Sequence, residues 1–208
     1  MKALIYKDLL SIWKYCRNYL IMCMVFLVAS VFVEEYSFLQ MYPLILMGTL
    51  VNTLIAYDER DKWDRQVLTM PITRKQYVTA KYLTGLILQG TVFLLTAAAH
   101  FVQLKLVNRF VWESFRTDLA MMVVLAAAAP SLILPFVFKN GSEKGRMAYL
   151  IVLGCVFAAA AAVTILLGKV GLIHSVPSSP AAAVAAAAAL LYPGSWALSV
   201  RWYEKREF

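Results

Sequence analysis

Two places in the chain carry residue types capable of acid–base or metal chemistry: the adjacent Glu34 and Glu35, and His100. Paired glutamates can activate water in an intramembrane protease, but that arrangement needs an arginine a few residues on, and the following YSFLQ contains none. We expect the pair to be a solvated acidic loop. His100 has no second His, Cys or carboxylate at helical spacing, so we expect an interhelical hydrogen bond or a position at the outer interface. We therefore predict no catalytic residue and no metal site.

Two glycines raise the question of nucleotide binding. Gly85 and Gly90 have the glycine spacing of the phosphate-binding motif G-x-x-x-x-G-K-[ST], but Thr91 stands where that motif requires lysine. The chain is therefore not expected to bind a nucleotide by that route, and no cofactor is expected on it. The long apolar segments also lack charged residues near their centres, which disfavours a carrier driven by protons or sodium ions.

The composition is that of a membrane protein. Of 208 residues, 62% are hydrophobic and 15% are charged, and the mean hydropathy is +0.69. One soluble domain of this length could not bury so much apolar surface, so the apolar segments must face lipid or one another. Because they lack the alternation typical of barrel strands, they are predicted to be helices. We expect an all-α polytopic membrane protein with a single transmembrane domain over residues 1–208 and six spans, at 18–33, 38–57, 82–107, 119–138, 147–168 and 180–200.

A charged segment separates the second span from the third. Residues 58–81 hold ten of the 32 charged residues, whereas the apolar stretches 38–57 and 82–103 hold none. Together with 1–17, 139–146 and 201–208, this segment carries 16 of the 20 Lys and Arg. The positive-inside rule then places both termini and the charged segment in the cytoplasm. The net charge of +8 is expected to meet the anionic headgroups of the bilayer, and nucleic acid is not an expected partner.

The first 17 residues are predicted to form a helix in the cytoplasmic membrane interface that bends into the first span. Lys7, Ser11 and Lys14 recur on one polar stripe, and apolar residues fill another. The alternative is a simple extension of the first span. Lys7 and Asp8 make burial of this helix unfavourable, which favours the interfacial position.

The charged segment itself divides into two helices. Residues 58–69 are predicted to form a short amphipathic helix, with Trp63 and Val67 toward one side. Pro71 interrupts it. Thr73 is then expected to begin a new helix, because Gln76 stands three positions later as the partner in a capping box.

Three stretches of the chain resemble the ABC-2 class of ABC transporter permeases. They are MKALIYKDLLSIWK at the start, YDERDKWDRQVLTMPITRKQYVTAKYL in the middle and SVRWYEKREF at the end. The resemblance implies that a separate cytoplasmic ATPase subunit binds ATP and Mg, and that two permease chains and two ATPase chains form the working unit. It also implies that the loop between the second and third spans is the coupling helix that contacts the ATPase.

Carried onto this sequence, the coupling helix is 58–69, a candidate docking surface of apolar knobs with a polar rim. The knobs would be Trp63, Val67 and Leu68, and the rim Arg60, Lys62, Asp64 and Arg65. The terminal residues expected to brace the same ATPase subunit are Lys7, Trp13, Tyr203 and Phe208.

The small six-helix permeases that this chain resembles suggest export of amphipathic or antimicrobial-type peptides, similar to phenol-soluble modulins. A second, identical copy is the expected permease partner, and a bacterial plasma membrane the expected location. Two alternatives stay open. One is a non-transporting immunity or sensor protein that acts by binding; the other is an intramembrane enzyme that depends on His100 or Glu34.

Overall fold

The computed structural model describes residues 2–32, 37–108, 110–145, 147, 150–151 and 180–205. Within these ranges every long regular element is an α-helix. The helices are α1 (Lys2–Tyr15), α2 (Arg17–Phe32), α3 (Ser37–Arg60), α4 (Trp63–Leu68), α5 (Arg74–Leu106), α6 (Trp112–Asn140) and α7 (Pro180–Glu204). The predicted all-α fold is confirmed for this part of the chain.

Three of these helices, α3, α5 and α6, are long and apolar enough to cross a membrane. They match the second, third and fourth predicted spans. The pair α1–α2 raises the number to four if its two bent halves are taken as one span. The sixth predicted span corresponds to α7, which is not among these candidates, and nearly all of the fifth lies outside the described residues. The prediction of six spans is therefore supported for three or four of them.

The N-terminal helix α1 meets α2 at an angle of 75°. The N-terminal residues therefore form a helix of their own that is sharply bent against α2, whereas its position in the membrane interface stays a prediction. One face of α1 packs on the protein through Leu4, Asp8 and Ile12, whereas Tyr6 and Trp13 on the opposite face are exposed. The expectation that Asp8 resists burial is wrong, since its relative exposure is 2%. Ion pairs to other helices, described below, compensate for the loss of water around this carboxylate.

The four basic segments meet at one end of the molecule. The Glu59 carboxylate, near the end of α3, accepts hydrogen bonds from the backbone N–H (2.8 Å) and the hydroxyl (2.6 Å) of Ser142. The Arg74 guanidinium, at the start of α5, donates to the Glu204 carbonyl at 2.7 Å. The N-terminal helix joins the same region through its ion pairs. Both described termini therefore lie on the side of the charged segment, as the charge pattern predicts.

The aromatic core at this end is built by five helices, α3 to α7. Tyr203 of α7 stacks on Tyr77 of α5 at 5.6 Å and meets Phe138 of α6 edge-on at 5.5 Å. The same cluster includes Val51 of α3. Tyr203 is thus a buried packing residue of this chain, which leaves it no exposed surface with which to brace a partner.

A small-residue contact sets how closely α3 approaches α6. A Cβ atom placed on Gly48 would lie 2.5 Å from the Cβ of Ala129 and 3.4 Å from the Cδ of Pro130. Neither neighbour is a flexible side chain that could move aside. Helices in lipid associate through such close packing, because the surrounding acyl chains provide no hydrophobic drive.

We expect Gly48→Ala to lower the midpoint of thermal unfolding in detergent. The added methyl group overpacks the α3–α6 contact, at a cost of about 1–3 kcal/mol. Gly90→Ala is the matched control, since no atom lies within 4 Å of a Cβ at Gly90. Equal midpoints for the two variants would show that α3 and α6 are not held this close.

Candidate functional site: the charged segment and its buried ion cluster

The charged segment begins as a continuation of a spanning helix. α3 continues through Asp58 and Glu59 to Arg60, so the predicted single helix over 58–69 is wrong. The break falls at Lys62, whose φ of 55° is left-handed and cannot continue an α-helix. The six-residue helix α4 follows as a separate element. A helix–break–helix corner therefore stands where one amphipathic helix is expected.

The second half of the segment folds as predicted. The Thr73 hydroxyl accepts a hydrogen bond from the Gln76 backbone N–H at 3.2 Å, and the Gln76 side chain accepts one from the Thr73 N–H at 3.1 Å. This reciprocal pair is the capping box that the sequence predicts at the start of α5. It fixes the point at which the chain enters the third span.

The short helix α4 is attached to the body by its apolar residues. Val67 is 2% exposed and lies in the aromatic core described above, and Trp63 packs against the same core. The Lys7 ammonium of α1 sits 4.6 Å from the centre of the Trp63 ring, a cation–π contact. The burial of Val67 assigns it to internal packing and not to a surface knob. Trp63 links α4 to α1.

The outer side of this corner is polar and exposed. Arg60, Lys62 and Gln66 all face away from the body. The side chains of Asp64, Arg65 and Leu68, and the whole of Phe208, lie outside the described part of the structure. Among the predicted bracing residues, Trp13 is 72% exposed. Contact of these residues with a partner subunit stays a prediction.

Beneath the corner lies a buried ion cluster. Its centre is the ammonium group of Lys81, which is 1% exposed and lies 2.7 Å from the Oδ1 of Asp8 and 2.6 Å from the Oδ2 of Asp58. Asp8 belongs to α1, Asp58 to α3 and Lys81 to α5. Three helices that are distant in sequence therefore converge on one cation.

Lys7 completes the cluster and connects it to the surface. Its ammonium pairs with Asp58 and lies 3.5 Å from Asp8, and its side chain is 27% exposed. The Tyr77 hydroxyl donates to Asp58 at 3.4 Å, a long contact. Two ammonium groups thus face two carboxylates. This balance makes burial tolerable, because an unpaired charge in a low-dielectric interior costs several kcal/mol.

Sequence reasoning missed this cluster, although one signal was present. Asp8 shares a helical stripe with Leu4 and Ile12, at intervals of four residues. A single carboxylate on an apolar stripe must find a buried cation. Lys81, placed by its sequence position where α5 emerges from the membrane, is that cation.

A further titratable pair lies at the opposite end of the molecule. The Nε2 of His100 lies 3.0 Å from the Oδ2 of Asp118 on α6, and the imidazole stacks on Phe115 at 5.7 Å. The predicted interhelical hydrogen bond of His100 is confirmed. Within the described ranges no three His, Cys, Asp or Glu side chains cluster closely enough to hold a metal ion.

Comparison with known proteins places the chain in a family. The model of the ABC-2 family transporter protein matches residues 3–204, nearly the whole length. No curated protein and no solved structure matches the chain significantly. Permeases of this family are the membrane components of ABC transporters; they are not catalytic themselves, and their family implies a partner ATPase subunit. A match over almost the entire chain, together with the long apolar helices, shows that this multi-pass membrane protein belongs to the ABC-2 family of transporter permeases.

Proposed function

We propose that this permease is the membrane subunit of an ATP-driven exporter, and that the corner formed by the end of α3 and by α4 receives the motion of a separate cytoplasmic ATPase. The observation that carries the proposal is the two-sided character of this corner. Its outer side presents Arg60, Lys62 and Gln66 to solvent, and its inner side is anchored by Trp63 and the ion cluster. A segment that receives motion from a partner subunit must be accessible to that subunit and rigidly attached to the rest of its own chain.

The ion cluster supports a specific route for the motion. A push on α4 reaches Lys7 through Trp63, and Lys7 is ion-paired to Asp58. Lys81 then connects both carboxylates to α5. The first, second and third predicted spans would therefore respond together, because α1 leads directly into α2.

An amphipathic peptide is the proposed cargo, carried by two copies of this permease. An apolar cavity of about 400 Å³ lies between α5, α6 and α7, with Gln89 and Tyr192 among the few polar groups in its lining. Its size falls within the range of small-molecule sites, about 300–1,000 Å³. Such a lining suits an apolar side chain of a peptide that has partitioned into the membrane.

We expect Trp63→Ala to weaken association with the partner ATPase by about tenfold, because loss of the ring frees α4 from the core and from Lys7, so that the exposed outer side of the corner is no longer held in place. Stimulation of ATP hydrolysis by peptide is expected to fall with it. Copurification in detergent and reconstituted ATP turnover measure the two effects.

Trp112→Ala is the matched control for this experiment, because Trp112 is an exposed tryptophan at the opposite end of the molecule. If both variants keep full association and stimulated turnover, the corner does not receive the motion of the ATPase. Peptide resistance without any ATPase partner would instead favour the binding-only immunity protein.

We expect Lys81→Met to destabilise the protein by about 3–5 kcal/mol, because it leaves two buried carboxylates facing one ammonium. Adding Asp8→Asn restores a balanced Lys7–Asp58 pair, and the double variant is expected to recover more than half of the loss. Thermal unfolding in detergent measures both. Lys75→Met, on an exposed lysine of the same helix, is the control.

The same double variant separates stability from coupling. With the link between α1 and α5 removed, it is expected to bind the ATPase normally but to lose most of the peptide-stimulated turnover. If Lys81→Met and Lys75→Met unfolded at the same temperature, the result would contradict the buried ion cluster itself.

A further inference from the structure

A second cavity, distinct from the corner and from the proposed cargo cavity, lies in the groove between α6 and α7. It measures about 240 Å³ and is lined mainly by apolar side chains. Leu132, Pro135 and Phe136 form its α6 wall, and Leu198 and Trp202 contribute to its α7 wall. Leu198 is partly exposed, so the groove opens toward the surface of the helix pair.

The groove extends farther along α7 than along α6, where its lining covers Ser131 to Phe136, about 8 Å. On α7 its lining extends from Leu191 to Trp202, about 17 Å at the α-helical rise of 1.5 Å per residue. Its volume is smaller than the ~300 Å³ at which small-molecule sites begin. A long, narrow and apolar space of this size fits one hydrocarbon chain better than a folded peptide.

One end of the groove is cationic. The Lys139 ammonium sits 4.7 Å from the centre of the Trp202 ring, and Trp202 in turn contacts Phe136 at 6.3 Å between ring centroids. Arg201 is exposed and lies three residues from Leu198, on the neighbouring surface of α7. Two positive charges therefore flank the end of the groove that lies on the side of the charged segment.

The nearest acidic side chain in the α7 sequence points elsewhere. Glu204 is two residues beyond Trp202, about 200° around the helix at 100° per residue. It therefore leaves the groove side of α7, although it stands three residues from Arg201. Among the described residues neither Lys139 nor Arg201 has a carboxylate within 4.0 Å, so both are available to an external anion.

We propose that this groove binds one anionic phospholipid, with an acyl chain in the cavity and the phosphate between Lys139 and Arg201. Trp202 stands between the apolar lining and Lys139, which is where the hydrocarbon of a bound lipid would meet its headgroup and where tryptophan is enriched in membrane proteins. Lysine and arginine at that depth attract anionic headgroups. Along the groove, the apolar lining, the Trp202 ring and the two basic residues thus follow one another in the same order as the acyl chain, the interfacial region and the headgroup of a phospholipid.

A second copy of the chain fits this groove less well. Two copies share one orientation in the membrane, so a symmetric partner would bring its own basic end to the same depth. That end carries the chain's excess of Lys and Arg, which would repel Lys139 and Arg201. Lys139 and Arg201 therefore favour an anionic lipid in this groove over a second copy of the chain.

The test is native mass spectrometry of the detergent-purified permease titrated with phosphatidylglycerol or phosphatidylcholine of equal chain length. We expect phosphatidylglycerol to bind preferentially. Lys139→Gln is expected to reduce that preference about fivefold, the effect of one basic residue near an anionic surface. Leu198→Trp, which fills the groove, is expected to abolish the saturable binding of both lipids.

Lys105→Gln is the matched control, because Lys105 makes a comparable contact with the Phe101 ring, at 4.9 Å, on the helix before α6. Equal binding of the two lipids to the unmodified protein, or an unchanged preference in Lys139→Gln, would overturn the proposal. So would disulfide-linked dimers of Leu198→Cys, which would show that a second copy occupies the groove. Thermal unfolding of each variant confirms that it is folded.

Discussion

The arrangement of this end of the molecule depends on how the ammonium group of Lys81 is paired. Almost no water reaches it, so its charge is tolerable only with carboxylates at hydrogen-bond distance. These come from Asp8, 73 residues earlier in the chain, and from Asp58, 23 residues earlier. α1, α3 and α5 are thereby held at a single point, and the short helix α4 sits directly above it through Trp63 and Lys7.

Between the ion cluster and the His100–Asp118 pair at the opposite end, the helices are joined by neutral polar contacts. The Tyr82 hydroxyl of α5 lies 2.8 Å from Ser195 and 2.7 Å from Ser199 on α7, and Gln40 of α3 hydrogen-bonds to Gln103 of α5. In lipid such bonds contribute to helix association, because apolar surface gains nothing by leaving acyl chains. The ionic contacts of Lys7, Asp8, Asp58 and Lys81 lie at the end that holds the charged segment, and the hydrogen bonds extend from there toward the opposite end.

Local features of the sequence predicted much of the fold. The apolar segments, the sharp start of α5 at Thr73 and the separate helix at the N-terminus follow from periodicity, length and capping chemistry, which involve residues a few positions apart. The pairing of Asp8 with Lys81 and the partner of His100 could not be predicted this way. Each depends on a residue in another helix, and no local pattern specifies which helices meet.

The candidate site was predictable only in part for the same reason. The exposed side of the charged segment could be located from its charges, and Trp63 from its isolation among them. The left-handed residue Lys62 and the core beneath it determine that α3 ends at Arg60 and that Val67 turns inward. The identity of the contacts across the outer side is determined by a different polypeptide, which this sequence does not encode.

The length of α5 has a mechanical consequence. It is an unbroken helix of 33 residues, which corresponds to about 50 Å from its capped start to the outer end near His100. A rigid rod of that length amplifies small rotations: tilting it by about 5° around Lys81 as a fulcrum shifts its far end by about 3 Å. A modest displacement of the start of α5 would therefore be enough to separate the His100 imidazole from the Asp118 carboxylate at the distant end.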